Sequence, residues 1–180
     1  VEIWDVSNFG IFQSLEFDSP ITSLAWPPDQ SRLAAAHSDG TLKIWETNRW
    51  ESSQIIPPLD SEYENNGDNE DSLAIVAWSA NKDRLAWAFD GSPIYIHDAD
   101  SGEVEAALEL PEPTPVEENQ DEEQDIPESR TNTVSWSPSG SLLAAGNDQG
   151  RVFVWDVVQN ELFFEAQAFS TRRPHVTGRH

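Results

Sequence analysis

Three observations predict an all-β fold. Short apolar segments alternate with turns rich in Pro, Gly, Ser and Asp along nearly all of the 180 residues. The segments keep a fixed internal spacing. Trp26 to Trp45, Trp78 to His97 and Trp136 to Trp155 are each 19 residues, and Trp26 to Leu33, Trp78 to Leu85 and Trp136 to Leu143 are each 7. The distances between units vary instead: 22 from Trp4 to Trp26, 33 from Trp45 to Trp78 and 39 from His97 to Trp136. A constant unit with variable connections marks a repeat architecture, because insertions are tolerated in loops and not in paired strands.

Asn132 to Val157 is the best-kept copy. An apolar segment ends at Trp136, a Ser-Pro-Ser-Gly turn follows, Leu142 to Gly146 forms a small-residue strand, and a turn closing on Gly150 leads to a strand ending in Trp155-Asp156. Strand, turn, strand, turn, strand is a β-meander. Glu161–Ala166 adds an outer strand.

The remaining elements follow from the same register. Val1–Val6 matches the third strand of the unit, and Gly10–Phe17 reads as the outer strand after it. The first complete unit runs ITSLAW to Trp26, Arg32–His37, a Ser38-Asp39-Gly40 hairpin turn of the Asp-Gly type, and Thr41–Glu46. Ile55-Ile56 marks a weak fourth strand. The second unit runs AIVAW to Trp78, Arg84–Phe89, Asp90-Gly91, Ile94–Asp98 and an outer strand at Val104–Leu110. His97 stands where the other units have Trp.

The pattern L-A-W-S-P-x-G-x-L-A-x-G-x-x-x-G-x-x-x-x-W-D resembles the WD-repeat family of β-propellers. Trp4-Asp5 and Trp155-Asp156 are full pairs, and Trp45-Glu46 and His97-Asp98 are degenerate ones. The resemblance implies four-stranded antiparallel blades, about three and a half of them, near 1–17, 21–56, 74–110 and 132–166. A closed propeller typically takes four to eight blades. The expectation is therefore an incomplete propeller, the internal piece of a longer protein, completed by chain outside this fragment. The opening Val1, already inside a strand pattern, points the same way.

The resemblance also implies a hydrogen-bonded tetrad of Gly-His, a second-strand Ser/Thr, a turn Asp and the third-strand Trp. Here no Gly-His occurs, and the Ser/Thr position holds Ala35, Trp87 and Ala145. Only Asp39 with Trp45 keeps two members in one unit. Asp90 lacks its Trp, and Trp155 is matched with Gln149. The blades are expected to be held mainly by apolar packing.

Composition narrows the function. The formal net charge is −23, and more than half of it sits in two segments. Asp60–Asp71 carries six acids and no base, and Pro111–Arg130 carries eight acids and one base. Both read as solvated insertions between blades. Thr114-Pro115 and Ser129 are candidate phosphorylation sites in the longer one, and neither segment has the Asp/Asn-x spacing of a calcium loop. The tail 167–180 is basic, with Arg172, Arg173 and Arg179. Such acidity argues against direct binding to nucleic acid or an anionic membrane, and for protein partners, those with basic surfaces among them. With no cysteine, no membrane-length apolar run and no signal peptide, an intracellular site, cytoplasmic or nuclear, is expected.

No catalytic residue, cofactor or metal site is expected. There is no phosphate loop and no nucleophile elbow. His97 reads as a satisfied core histidine and His37 as a turn hydrogen-bonding partner, with no second ligand at metal spacing beside either. The candidate protein-binding residues are Arg49, Trp50 and Trp87. Arg49-Trp50 breaks an otherwise polar loop, and Arg and Trp are enriched in interface hot spots. Trp87 replaces an Ala, and either fills the core or faces the central channel. The expected function is a protein-interaction scaffold mediating complex assembly or peptide recognition. The alternatives are a structural subunit of a stoichiometric assembly and a regulatory part of a propeller enzyme.

Overall fold

A computed structural model describes residues 1–17, 19–58, 73–89, 91–111 and 129–167. The segment 60–71, most of 111–130 and almost all of the tail lie outside the described residues. So does Asp90.

Among the described residues, fourteen strands form one two-stranded and three four-stranded antiparallel sheets. The two-stranded sheet pairs β1 (Glu2–Asp5) with β2 (Gly10–Ser14). The first full blade is β3 (Ile21–Ala25), β4 (Arg32–His37), β5 (Leu42–Glu46) and β6 (Glu51–Ile56). The second is β7 (Ala74–Trp78), β8 (Arg84–Phe89), β9 (Ile94–Asp98) and β10 (Val104–Leu108). The third is β11 (Thr131–Trp136), β12 (Leu142–Asn147), β13 (Arg151–Asp156) and β14 (Glu161–Gln167). Each blade is a sequential meander, as predicted. One correction concerns β6: the fourth strand of the first blade is six residues long and starts at Glu51, well before Ile55. Its first four residues, Glu-Ser-Ser-Gln, lie on an outer edge and need no apolar alternation.

The blades stack face to face. Directly paired residues of antiparallel strands share a face, so each third-strand aromatic lies beside a second-strand leucine: Trp45 with Leu33, His97 with Leu85, Trp155 with Leu143. This face packs on the preceding blade. The opposite face receives the next one. Ala34, Ala36, Leu42, Ile44 and Ile56 of the first blade pack with Trp78, Leu85, Trp87 and Phe89 of the second. Ala86, Ala88, Ile94, Ile96 and Leu108 of the second pack with Leu143, Ala145, Phe153 and Trp155 of the third.

The inner strands are also stitched together. Thr22 Oγ1 donates to the Ala74 carbonyl (2.6 Å) and accepts from the Ala74 amide (3.2 Å), while the Val76 amide donates to Ser23 Oγ (3.3 Å). Trp136 Nε1 donates to the Ala77 carbonyl (3.2 Å).

Asp39 does not complete a tetrad with Trp45. It accepts from the Thr41 amide and hydroxyl, at 2.9 and 2.6 Å. A different clasp ties blade entry to hairpin: Ser19 Oγ lies 3.0 Å from His37 Nδ1, and Asn147 Nδ2 donates to Ser129 Oγ at 2.6 Å. Ser19 and Ser129 are both 18 residues before their partners. Burial alone would raise the Asp39 pKa, but hydrogen bonds from Thr41 and Ser19 outweigh it and hold the carboxyl below its ordinary value.

Candidate protein-interaction rim

Four turns join a third strand to an outer strand, over residues 5–10, 46–51, 98–103 and 156–161. Each opens on the acid that ends the third strand. Asp5, Asp98 and Asp156 spend that carboxylate on the turn itself. Asp5 Oδ1 accepts from the Ser7 amide (2.8 Å) and Ser7 Oγ (2.6 Å). Asp98 Oδ1 accepts from the Asp100 and Ser101 amides (3.1 and 2.7 Å), and Asp156 Oδ1 from those of Val158 and Gln159 (both 3.0 Å). At Asp5 and Asp98 these bonds favour the ionised form. The pKa of Asp5 is lowered chiefly by the Ser7 hydroxyl, and that of Asp98 by the Ser101 amide.

Glu46 departs from the pattern. Its longer side chain makes none of these bonds, and the turn keeps the backbone bond from the Trp50 amide to the Glu46 carbonyl (2.7 Å), as the Gly102 amide bonds the Asp98 carbonyl (2.9 Å). Glu46 pairs across the strands with Glu51, and no cation among the described residues bridges to either.

The residue four places after the turn acid has a left-handed backbone in every turn: Phe9 (φ 55°), Trp50 (56°), Gly102 (74°) and Asn160 (54°). Glycine adopts this region freely and asparagine tolerates it, whereas a bulky side chain pays roughly 1–2 kcal/mol. Phe9 and Trp50 carry that strain in adjacent blades.

The three candidate residues separate in space. Arg49 is exposed on the 46–51 turn, and Trp50 beside it is half-buried. The Trp50 ring meets Trp26 edge-on (6.2 Å, 87°) and Phe12 of the two-stranded sheet (6.3 Å, 64°). A pocket on the same turn is lined by Glu46, Asn48, Arg49, Glu51, Ser52 and Ser53, and Trp50 is not among its walls; the pocket volume is about 160 Å³. That is below the range of roughly 300–1,000 Å³ usual for small-molecule sites and suits a single side chain. Trp87 lies elsewhere. It is 1% exposed, packed between the first two blades with its ring 5.5 Å from His97 and 6.2 Å from Tyr95. It faces the preceding blade, not the channel.

Sequence reasoning did not single out Phe9, Phe12 or Glu46. The signal was present: aligning the four turns on their third-strand acid places Phe9 and Trp50 against Gly102 and Asn160, and Glu46 against three aspartates.

A cation already sits on an indole in this molecule. The Arg32 guanidinium lies 4.7 Å from the Trp78 ring centre, with Nη1 donating to the Ala99 carbonyl (2.8 Å) and Asp100 Oδ1 (2.9 Å) and Nη2 to the Lys82 carbonyl (3.2 Å). Lys82 pairs with Asp29 at 2.8 Å, which lowers the pKa of Asp29 to about 2.

Both ends of the stack are open. Trp4 is 52% exposed, whereas its equivalents Trp45 and Trp155 are 7% and 3% exposed. At the other end Val152 is 43% exposed, whereas its equivalents Leu42 and Ile94 are fully buried. Phe163 and Phe164 on β14 are exposed as well. Among the described residues no cluster of three His, Asp or Glu is placed to hold a metal ion, and no helix is long and apolar enough to cross a membrane.

The WD domain, G-beta repeat, family model matches residues 12–46 and 127–156. The chain is similar to WD repeat and HMG-box DNA-binding protein 1 of Xenopus laevis, with 25% identity over 77% of this chain and 11% of that protein. For the Homo sapiens protein of the same name the identity is 27%, over 87% of this chain and 12% of that one. Thus the chain spans about a tenth of the length of these relatives. Eukaryotic translation initiation factor 3 subunit I of Scheffersomyces stipitis is 29% identical over 61% of this chain and 33% of its own. Among solved structures, the β-propeller domain of Myceliophteria thermophila Cps50 (Swd1) superposes with a TM-score of 0.71 at 20% identity, covering 94% of this chain and 51% of that one. Fold, register and matches agree: the chain is similar to WD-repeat proteins, and its described residues fold as three complete β-propeller blades and two strands of another, an incomplete propeller.

Proposed function

We propose that this chain is the propeller segment of a protein-interaction scaffold, which assembles a complex or captures a peptide through its rim turns. The observation that carries this reading is the contrast between frame and rim. The strands keep one register through three blades, while in the turn 46–51 the acid makes none of the side-chain bonds of its equivalents and Arg49 stands exposed. Rigid scaffolds with divergent loops are where binding residues concentrate. The open faces at Trp4 and Val152 are covered by further blades of the same architecture. The role is one of binding, not catalysis. Direct contact with nucleic acid is no part of it, given a net charge of −23; the DNA binding in the relatives' name is said of those whole proteins.

The test is affinity purification of the full-length protein under mild salt, with and without chemical cross-linking. Recovery of defined protein partners supports the reading. A fixed stoichiometry that survives size exclusion favours the structural-subunit alternative over transient recognition. Recovery of no protein under either condition overturns it.

A further inference from the structure

Three turns join a first strand to a second, over residues 25–32, 78–84 and 136–142. They share one backbone. The fourth residue after the tryptophan is left-handed in each: Gln30 (φ 59°), Lys82 (68°) and Gly140 (72°). Its amide donates to the carbonyl of Pro27 (3.0 Å), Ser79 (3.1 Å) or Ser137 (2.9 Å). The side chains inside the turns differ. In the first turn Asp29 Oδ1 accepts from the Ser31 amide (3.2 Å) and hydroxyl (2.9 Å). In the second, Asp83 accepts from the Ser79 hydroxyl (3.1 Å) and from Asn81 Nδ2 (2.8 Å). The third turn holds no carboxylate. Three hydroxyls stand in a row instead, with Ser139 Oγ lying 2.9 Å from Ser137 Oγ and 2.7 Å from Ser141 Oγ. The Ser141 amide reaches Ser139 Oγ only at 3.4 Å, long for a hydrogen bond. Ser139 occupies the place of Asp29: each follows its tryptophan by three residues, and each meets the amide and hydroxyl of the serine two residues on. That place borders the next blade. Asp29 Oδ2 receives Lys82 Nζ across the first boundary (2.8 Å), and across the second Asn81 Oδ1 lies 2.8 Å from where a Cβ on Gly140 would stand.

We propose that Ser139 is a phosphorylation site, and that its phosphate supplies to the third blade the anion that Asp29 supplies to the first. A protein kinase transfers the γ-phosphoryl group of ATP to Ser139 Oγ. The new O–P bond forms as the bond to the β-phosphate oxygen breaks, ADP leaves, and the hydroxyl proton passes to the base of the kinase. Phosphoserine brings up to about two negative charges and three strong acceptor oxygens. One oxygen takes the Ser141 amide and hydroxyl, as Asp29 takes those of Ser31. The others face the open side of the third blade, where a cation meets them as Lys82 meets Asp29. Ser139 is exposed on its turn and within reach of a kinase. Ser137, although followed by Pro138, is not the acceptor. It is half-buried, and its hydroxyl receives the Leu142 amide (3.0 Å) just as that of Ser79 receives the Arg84 amide (3.0 Å).

The test isolates the full-length protein from its own cells in the presence of phosphatase inhibitors. Mass spectrometry then examines the tryptic peptide 131–151, with fragmentation that separates Ser135, Ser137, Ser139 and Ser141. Phosphate on Ser139 is expected, and Ser139→Ala protein expressed in the same cells is expected to lack it. Recovery of this peptide without phosphate, or with phosphate only at Ser135, Ser137 or Ser141, overturns the site. Hydrogen exchange of the segment 137–142 reads the second half of the proposal. Phosphorylated protein and Ser139→Asp are each expected to slow its exchange at least about threefold against the unmodified chain, through the charge-assisted bond to the Ser141 amide. Ser139→Ala is expected not to slow it, and thermal melts confirm that each variant folds. Exchange unchanged in both the phosphorylated protein and Ser139→Asp overturns the likeness to Asp29. Neither readout depends on the scaffold reading, since a chain that recovers no partner still carries or lacks the phosphate.

Discussion

The interface between the first two blades and the one between the second and third solve the same packing problem with different residues. Between the second and third, a large indole comes from the third strand, Trp155, and the second strand contributes Ala145. Between the first and second, the third strand carries His97, and the bulk has moved to Trp87 on the second strand. The indole has changed strands, and the pair of Trp87 and His97 is bulkier than Trp155 and Ala145. Trp87 therefore more than fills the space that the smaller ring of His97 leaves. The exchange brings a polar burden. The Nε1 of Trp87 and the Nε2 of His97 are both buried without a hydrogen-bond partner among the described residues. Trp155 carries no such mark.

The largest test of this comparison removes the displaced ring. Trp87→Ala leaves a cavity beside His97 and is expected to cost about 3–5 kcal/mol in urea unfolding. His97→Trp alone overpacks the same space and costs about 1–3 kcal/mol. The double variant, which restores the Trp155 and Ala145 arrangement, is expected to recover at least about 1 kcal/mol of the Trp87→Ala loss. A double-mutant cycle showing simple additivity would mean that the two positions are not exchanging volume.

Acid distinguishes the interfaces next. His97 Nδ1–H donates to the Gly102 carbonyl at 3.0 Å, and desolvation lowers the ring pKa below 6.5, outweighing that hydrogen bond. The folded state holds the ring neutral while the unfolded chain protonates it, so the unfolded state binds more protons. Stability is full above the unfolded pKa and is lost as pH falls through 6.5 toward the folded value. Urea midpoints at pH 7.5 and 5.5 are expected to drop in the parent more than in His97→Gln. Equal drops would remove His97 as the cause.

The smallest effect lies at the strained rim. Phe9 is 82% exposed with a left-handed backbone. Phe9→Gly relieves the strain at the expense of chain entropy, for a net gain of about 0.5–1 kcal/mol in thermal unfolding. The same change at Asn160, already a tolerant residue, is expected to move stability by less than about 0.5 kcal/mol. A clear loss at Phe9 would show that its ring packs on something that holds it there.

The fold was legible because buried strands enforce their pattern. Trp45 and Leu33 keep their interval since a slip of one residue would turn each to the wrong face. The outer strand β6 was only half legible, because an edge bordering solvent accepts Glu-Ser-Ser-Gln as readily as an apolar run. Trp87 could be placed on the second strand but not assigned a face toward a partner blade, since that depends on how sheets stack. The Ser19 and Ser129 clasps escaped notice because their partners, His37 and Asn147, share a role without sharing chemistry. Arg49 and Trp50 stood out by type, while the unengaged Glu46 needed the geometry of three other turns to be seen.

The hydroxyls of Thr22 and Ser23 have a consequence for solubility. β7 is an edge strand, and its Ala74 and Val76 amides point away from β8 toward the neighbouring blade. An unpaired row of such amides is a template on which a stray strand can add. By accepting both, the two side chains of β3 close that template without becoming part of a continuous sheet. Each blade so protected remains a separate sheet, and the inner edge is kept from seeding the cross-chain pairing to which a stack of short, valine- and alanine-rich strands is otherwise prone.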